Sequence, residues 1–212
     1  VGYIFRLQKM LQMDSYSAEF ESISEYINWI TAIPWGSYTQ DNLDLEHANE
    51  MLNKNHYGLQ DAKDRILEYL AVIKLQIDQN KKANQGEDLS QEMQRLQGSS
   101  SHAPVLCFVG IQGVGKTTMA KSIAAALDRG FMRIPLGGMG GAGELRAVSR
   151  TEPDAEPGQI VKALIRTNTM NPLILLDEID KVSSQTGLRA DIMASLLEIL
   201  DPEQNSAFSD KY

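Results

Sequence analysis

The chain has 212 residues, 42 % of them apolar and 23 % charged, with a formal net charge of −8. This is the balance of a globular domain plus an accessory piece, and the negative charge argues against a protein held mainly by nucleic-acid phosphates. A single cysteine, Cys107, excludes an intramolecular disulfide and points to a reducing compartment, and every apolar run is far shorter than a membrane span requires.

The first residues lack the pattern of a signal peptide, and a start at Val1 is expected of a piece of something longer. Residues 1–83 read as helical. In "SAEFESISEYINWITAIPWG" the apolar residues Phe20, Ile23, Ile27 and Ile30 recur at helical spacing, and Pro34 ends the pattern. A short helix is expected from about Leu45 to Asn53. A longer one runs from Leu59 to about Lys82, with Ile66, Leu70, Ile73 and Ile77 on one stripe. Residues 84–104 are polar, with Gly98 followed by three consecutive serines, and read as a linker with at most a marginal helical turn near Glu92.

After Pro104 the periodicity changes. "VLCFVG" is expected to be a short buried strand, with Cys107 a small hydrophobe inside it. A glycine loop and the helix "KTTMAKSIAAAL" follow. "FMRIPL" reads as a second strand and "PGQIVKALIRT" as a helix with Pro157 near its start. "LILLDE" reads as a third strand, apolar on both faces as a parallel sheet requires. The last helix, "LRADIMASLLEIL", places Leu188, Ile192, Leu196 and Leu200 on one side. Alternating strands and helices over residues 105–212 give an α/β class with a parallel sheet, preceded by an α-helical segment.

Two motifs carry chemistry. "GIQGVGKT" fits G-x-x-x-x-G-K-[ST], with a strand expected to enter it and a helix to leave it. Glycines let the backbone turn so that the N–H groups of Gly110, Ile111, Gln112, Gly113, Val114, Gly115, Lys116, Thr117 and Thr118 converge on an anion, helped by the helix N-terminus. Lys116 is placed for the β- and γ-phosphates, and the Thr117 hydroxyl for Mg2+. In "PLILLDE", Asp177 ends a strand where parallel sheets bind ligands, and is assigned to the Mg2+ site with Thr117. Glu178 follows and is assigned to the attacking water. Together these residues point to ATP or GTP hydrolysis, with Lys116 and Glu178 the catalytic pair.

Other features are weaker. "GMGGAG", from Gly138 to Gly143, matches G-x-G-x-x-G, but it lies outside the first βα unit and lacks the acid a dinucleotide site needs. A hinge before Glu144 is the better reading. His56, Tyr57 and Gly58 stand between two helices; they form either a turn against a nucleotide base or a capped helix start with core aromatics. Trp29 and Trp35 read as packing residues.

With these residues in hand, the chain resembles the Lon family of ATP-dependent AAA+ proteases. The resemblance rests on "EYINWITAIPWG", "NHYGLQDAKDRILEYLAV", "GIQGVGKTTMAKSIA", "PLGGM…GELR", "NPLILLDEIDK" and "LLEILDPEQNSAFSDKY", in the family's order. It implies a P-loop AAA+ sheet that is incomplete within these residues, and ATP with Mg2+ as cofactors. It implies a ring, usually of six subunits, that unfolds protein substrates and threads them into a peptidase chamber. It also implies the bacterial cytoplasm or an organelle matrix, and it moves His56, Tyr57 and Gly58 towards the adenine. The family's sensor, arginine finger, small subdomain and Ser–Lys dyad match nothing here, so no residue is assigned to proteolysis, and these residues alone are expected to be poorly active. The missing strand would lie between the phosphate-loop strand and the Asp177 strand. Two further readings stay open: an inert nucleotide-binding regulator, and an AAA+ remodelling motor without a peptidase.

One stretch departs from the resemblance. After "RT", Lon-like chains carry an aromatic, a hydrophobic residue and a glycine, where this chain has Glu152, Pro153 and Asp154. Repeated round a ring with Glu156, these acids would form a negative collar favouring basic segments. The alternative is a diverged loop that grips poorly.

Overall fold

The structure, a computed structural model, describes residues 18–83, 105–149, 152, 155–182, 186–201 and 204–212. The expected linker at 84–104 and the turn near Glu92 lie outside the described residues. In chain order the helices are α1 (Ala18–Ala32), α2 (Leu45–Asn55), α3 (Gln60–Ala83) and α4 (Lys116–Ala126). Strand β1 (Phe131–Pro135), α5 (Gly143–Arg146), α6 (Gln159–Thr167), β2 (Leu173–Asp177) and α7 (Thr186–Leu200) follow. The α/β class and the N-terminal helices match expectation to within a few residues.

Local chemistry sets the helix ends. Asp44 caps α2, its carboxylate accepting the Glu46 N–H at 3.0 Å. The indole N–H of Trp35 donates to the Ile30 carbonyl at 2.8 Å, serving an orphan acceptor in the last turn of α1. That task keeps Trp35 at the surface, 65 % exposed, where packing was expected; Trp29 is half-buried.

Two clusters form the core. Leu52 of α2 and Ile66 and Leu70 of α3 pack against Met119, Ile123 and Leu127 on and beside α4. The second cluster joins Ile134 and Leu136 to Leu145, Ala163, Ile192 and Leu196, gathering α5, α6 and α7 on β1. Helices α2 and α3 thus share a core with the helix that follows the phosphate loop. An ion pair adds a second tie: the Arg129 guanidinium donates to both Asp41 carboxylate oxygens at 2.6 Å.

The sheet has two strands among the described residues. β1 and β2 run parallel, with Phe131 opposite Leu173 and Pro135 opposite Asp177. The strand expected at 105–110 is absent. Phe108 packs against the first core cluster, but Val105, Leu106 and Val109 are exposed, and so is Cys107. A strand is defined by its neighbour's hydrogen bonds, and no described segment supplies a ladder to these residues. The same open side leaves β2 only half-buried along its length, against the expectation of two covered faces.

Leu52 is fully buried at the α2–α3–α4 junction. Leu52→Ala is expected to lower the unfolding free energy by about 3 kcal/mol, read from urea denaturation followed by circular dichroism.

Candidate functional site

The site forms where the loop before α4 meets the end of β2. Gly115 takes φ +91°, a left-handed conformation that a residue with a side chain rarely adopts, and this turns the chain into α4. Gly113 is also left-handed, at φ +83°. The exposed side chains of Ile111 and Val114 point away from the core, and Gln112 is exposed as well. The Lys116 ammonium lies over the loop, donating to the Gly110 and Ile111 carbonyls at 2.7 Å each. The Thr118 hydroxyl donates to the Gly115 carbonyl at 2.8 Å and closes the first turn.

Across from the loop, β2 delivers Asp177. Its Oδ2 accepts the Thr117 hydroxyl at 3.3 Å and the Arg133 Nε–H at 2.7 Å, and its Oδ1 accepts the Glu178 N–H at 2.9 Å. Burial, the largest influence, pushes the Asp177 carboxyl up. The Arg133 hydrogen bond and charge, the Glu178 N–H and the Thr117 hydroxyl together outweigh it and hold the carboxyl below the usual aspartate range. It is therefore an anion at neutral pH.

Glu178 sits at φ 61°, ψ 39°, a left-handed conformation unusual for a residue with a side chain and of the kind that concentrates at functional sites. Its Oε1 accepts from the Lys181 ammonium at 3.0 Å and lies 4.0 Å from Arg133 Nη2. Gly137 makes this packing possible. A Cβ there would come within 2.9 Å of Lys181 Cβ and 3.0 Å of Glu178 Oε2, too close for a side chain.

A hydroxyl facing an ionised carboxylate is a donor set suited to a hard divalent cation. The open glycine loop, with its backbone N–H groups and Lys116, suits a polyphosphate. The residues present therefore fit a nucleotide with Mg2+.

The His56 turn divides its residues. His56 is buried, with Nε2 3.0 Å from Ser122 Oγ on α4, and its carbonyl accepts from the buried Lys63 ammonium at 2.7 Å. Tyr57 is fully exposed and is not a core aromatic. The extended backbone at His56 (φ −136°, ψ 128°) turns the two side chains to opposite faces, and Gly58 at φ +69° and Leu59 at φ 55° then reverse the chain into α3.

"GMGGAG" does not cradle an anion of its own. The Gly140 N–H donates to Glu144 Oε1 at 2.6 Å, so a carboxylate of this chain takes the donor a phosphate would need. In the acidic loop Glu152 is exposed, while Pro153 and Asp154 lie outside the described residues. Glu156 pairs with Lys162 at 2.5 Å, which neutralises one of the three acids assigned to a collar. The feet of the loop are tied down: the Arg146 carbonyl accepts the Lys211 N–H at 2.8 Å, and the Gly158 N–H donates to Asp210 Oδ2 at 2.9 Å. An open cavity of about 450 Å3 lies beside this loop, lined by Glu144, Glu156, Pro157 and Lys162 among others, away from the phosphate loop.

Sequence reasoning overlooked Arg133, Lys181, Ser122 and Lys63. Arg133 left one signal, a charge in an otherwise apolar strand. Lys181 left another, its i,i+3 spacing from Glu178.

Comparison with known proteins agrees with this geometry. Residues 106–210 match the profile of the ATPase family associated with various cellular activities (AAA). The chain is 45 % identical over 206 residues to a Lon protease of Syntrophus aciditrophicus, covering 97 % of this chain and 23 % of that protein. The chain belongs to the Lon family. Lon protease 2 of Thermus thermophilus matches at 45 % identity, with 97 % of this chain and 24 % of the relative covered. The human mitochondrial Lon protease homolog matches at 42 %, with 97 % and 19 % covered. The chain thus spans about a quarter or less of the length of these Lon relatives. Among the described residues, no helix is long and apolar enough to cross a membrane.

The lowered Asp177 carboxyl has a consequence for stability. A group whose folded-state value is depressed contributes stability above its unfolded value and loses it as pH falls through the folded one. Thermal melts across the acid range should show stability falling below the ordinary aspartate value, and Asp177→Asn should flatten that limb.

Proposed function

We propose that this segment is the ATP-binding and hydrolysing engine of a Lon-type protease, coupling hydrolysis to the unfolding and translocation of protein substrates. The observation that carries the reading is the meeting of Thr117 with an ionised Asp177 at 3.3 Å, directly below the lysine-bearing glycine loop. The Lon and AAA matches support it.

On this reading the helical segment 1–83 leads through 84–104 into part of the large AAA+ subdomain at 105–212. ATP with Mg2+ supplies the high-energy phosphoryl group and neutralises its developing charge. The chain's own residues then have distinct tasks. Backbone N–H groups from Gly110 to Thr118 hold the phosphates. Lys116 leaves the Gly110 and Ile111 carbonyls to take the β- and γ-phosphate oxygens, and Thr117 and Asp177 hold the metal. Arg133 already satisfies Asp177 Oδ2, so it must share that oxygen or swing aside. Glu178 orients the attacking water and takes its proton once its carboxylate turns from Lys181.

The partners that follow are unfolded or damaged proteins and further copies of the chain in a ring, six by family habit. The compartment that follows is a bacterial cytoplasm or an organelle matrix, in keeping with the lone cysteine. With Glu156 tied to Lys162, a preference for basic segments would rest on Glu152 and Asp154.

Binding of a fluorescent ATP analogue tests the core of this reading. Lys116→Ala is expected to weaken binding at least tenfold, and Glu178→Gln to leave it nearly unchanged. Where the chain turns ATP over, Glu178→Gln should cut the rate by about a hundredfold or more. Equal binding by wild type and Lys116→Ala would overturn the assignment.

A further inference from the structure

His56 has two ring nitrogens, and among the described residues only one has a partner. Nε2 lies 3.0 Å from Ser122 Oγ. The same oxygen accepts an N–H from the Asn55 side-chain amide, also at 3.0 Å. A hydroxyl has one proton and two lone pairs. Asn55 uses one lone pair, and among the described residues the only acceptor for the Ser122 proton is His56 Nε2. If Nε2 carried a hydrogen instead, the Ser122 O–H, on a residue only 3 % exposed, would be a buried donor without an acceptor. That arrangement is costly. The hydrogen of the neutral ring therefore belongs on Nδ1.

Nδ1 faces the phosphate loop. A Cβ built on Gly115 would lie 3.8 Å from it. No described residue accepts from Nδ1, and although the ring as a whole is 8 % exposed this nitrogen is not sealed from solvent. The loop flank on which it opens is also informative. Ser122 follows Thr117 by five residues on α4, which turns it about 140° round the helix axis from the flank that meets Asp177. The metal and the terminal phosphate belong to the Thr117 flank. The resemblance to Lon puts the His56 turn beside the adenine, so this flank is taken as the nucleoside end.

We propose that Ser122 and Asn55 are positioning residues. They fix His56 as the Nδ1–H tautomer, so that Nδ1–H donates to an acceptor atom at the base-and-ribose end of a bound nucleotide. The ligand half of this proposal rests on the nucleotide reading given above. The tautomer half does not.

Nitrogen NMR of isotope-labelled histidine tests both. His47→Gln and His102→Gln variants assign the His56 signals among the three histidines. At a pH where the ring is neutral, wild type is expected to show a protonated Nδ1 and an unprotonated Nε2. Ser122→Ala should move the ring towards the Nε2–H form that free histidine favours and weaken ATP binding roughly fivefold, about the effect of one hydrogen bond. Ser122→Thr, which keeps the hydroxyl, should restore both. In wild type the Nδ1–H signal should shift with ATP and stay put with inorganic triphosphate.

A wild-type ring protonated on Nε2 overturns the tautomer assignment, whatever the variants do. An Nδ1–H signal that ATP leaves unmoved, while the Gly115 amide responds, overturns the contact with the nucleoside. If the Gly115 amide is also silent to ATP, the nucleotide reading itself falls and takes the ligand half with it.

Discussion

Helix α4 is held from two sides, and the site depends on both. On one side its apolar residues Met119 and Ile123 pack with Leu52, Ile66 and Leu70 of α2 and α3. On the other, Thr117 reaches Asp177 at the end of β2. The phosphate loop is the short connection into this doubly anchored helix. Its backbone N–H groups are therefore aimed by packing that lies well away from the loop, which is how a flexible glycine stretch comes to hold a defined shape.

The acidic pair at the strand end is constrained just as closely. Asp177 is fixed by its register opposite Pro135 and by hydrogen bonds from Arg133, Thr117 and the Glu178 N–H. Glu178 is fixed by a left-handed backbone and by Lys181. Two carboxylates adjacent in sequence thus share Arg133 unequally, Asp177 accepting its Nε–H at 2.7 Å while Glu178 takes the Lys181 ammonium at 3.0 Å. The separation is set by backbone conformation, and neighbouring acids acquire different tasks because of it. The close approach at Gly137 ties the same corner to the loop that leads towards α5.

Much of this was legible in the sequence, because the decisive signals are local. The glycine spacing before Lys116 encodes a turn, and the apolar run before Asp177 encodes a strand. Helix stripes such as Ile66 and Leu70 encode the face that is buried. What escaped depends on contacts through space. Residues 105–110 have the composition of a strand, but a strand requires a neighbour, and composition cannot supply one. In the sequence His56 and Tyr57 read together as one turn, but the extended backbone at His56 buries the first ring and leaves the second in solvent. The pairing of Glu156 with Lys162 crosses the start of α6, so the acidic loop looked more charged than it is. Ser122 left no mark at all, since its meaning lies in a hydroxyl proton whose acceptor is far away in sequence.

The exposed segment ahead of the phosphate loop has one more property. Cys107 is the only thiol in the chain, it is open to solvent, and it stands three residues before Gly110. The molecule therefore carries a unique chemical handle at the threshold of its own candidate nucleotide site. A maleimide dye attached there would label one position without any substitution and lie close enough to sense rearrangement of the loop. A geometry that left a strand unformed has, by the same stroke, left the chain ready for site-specific spectroscopy.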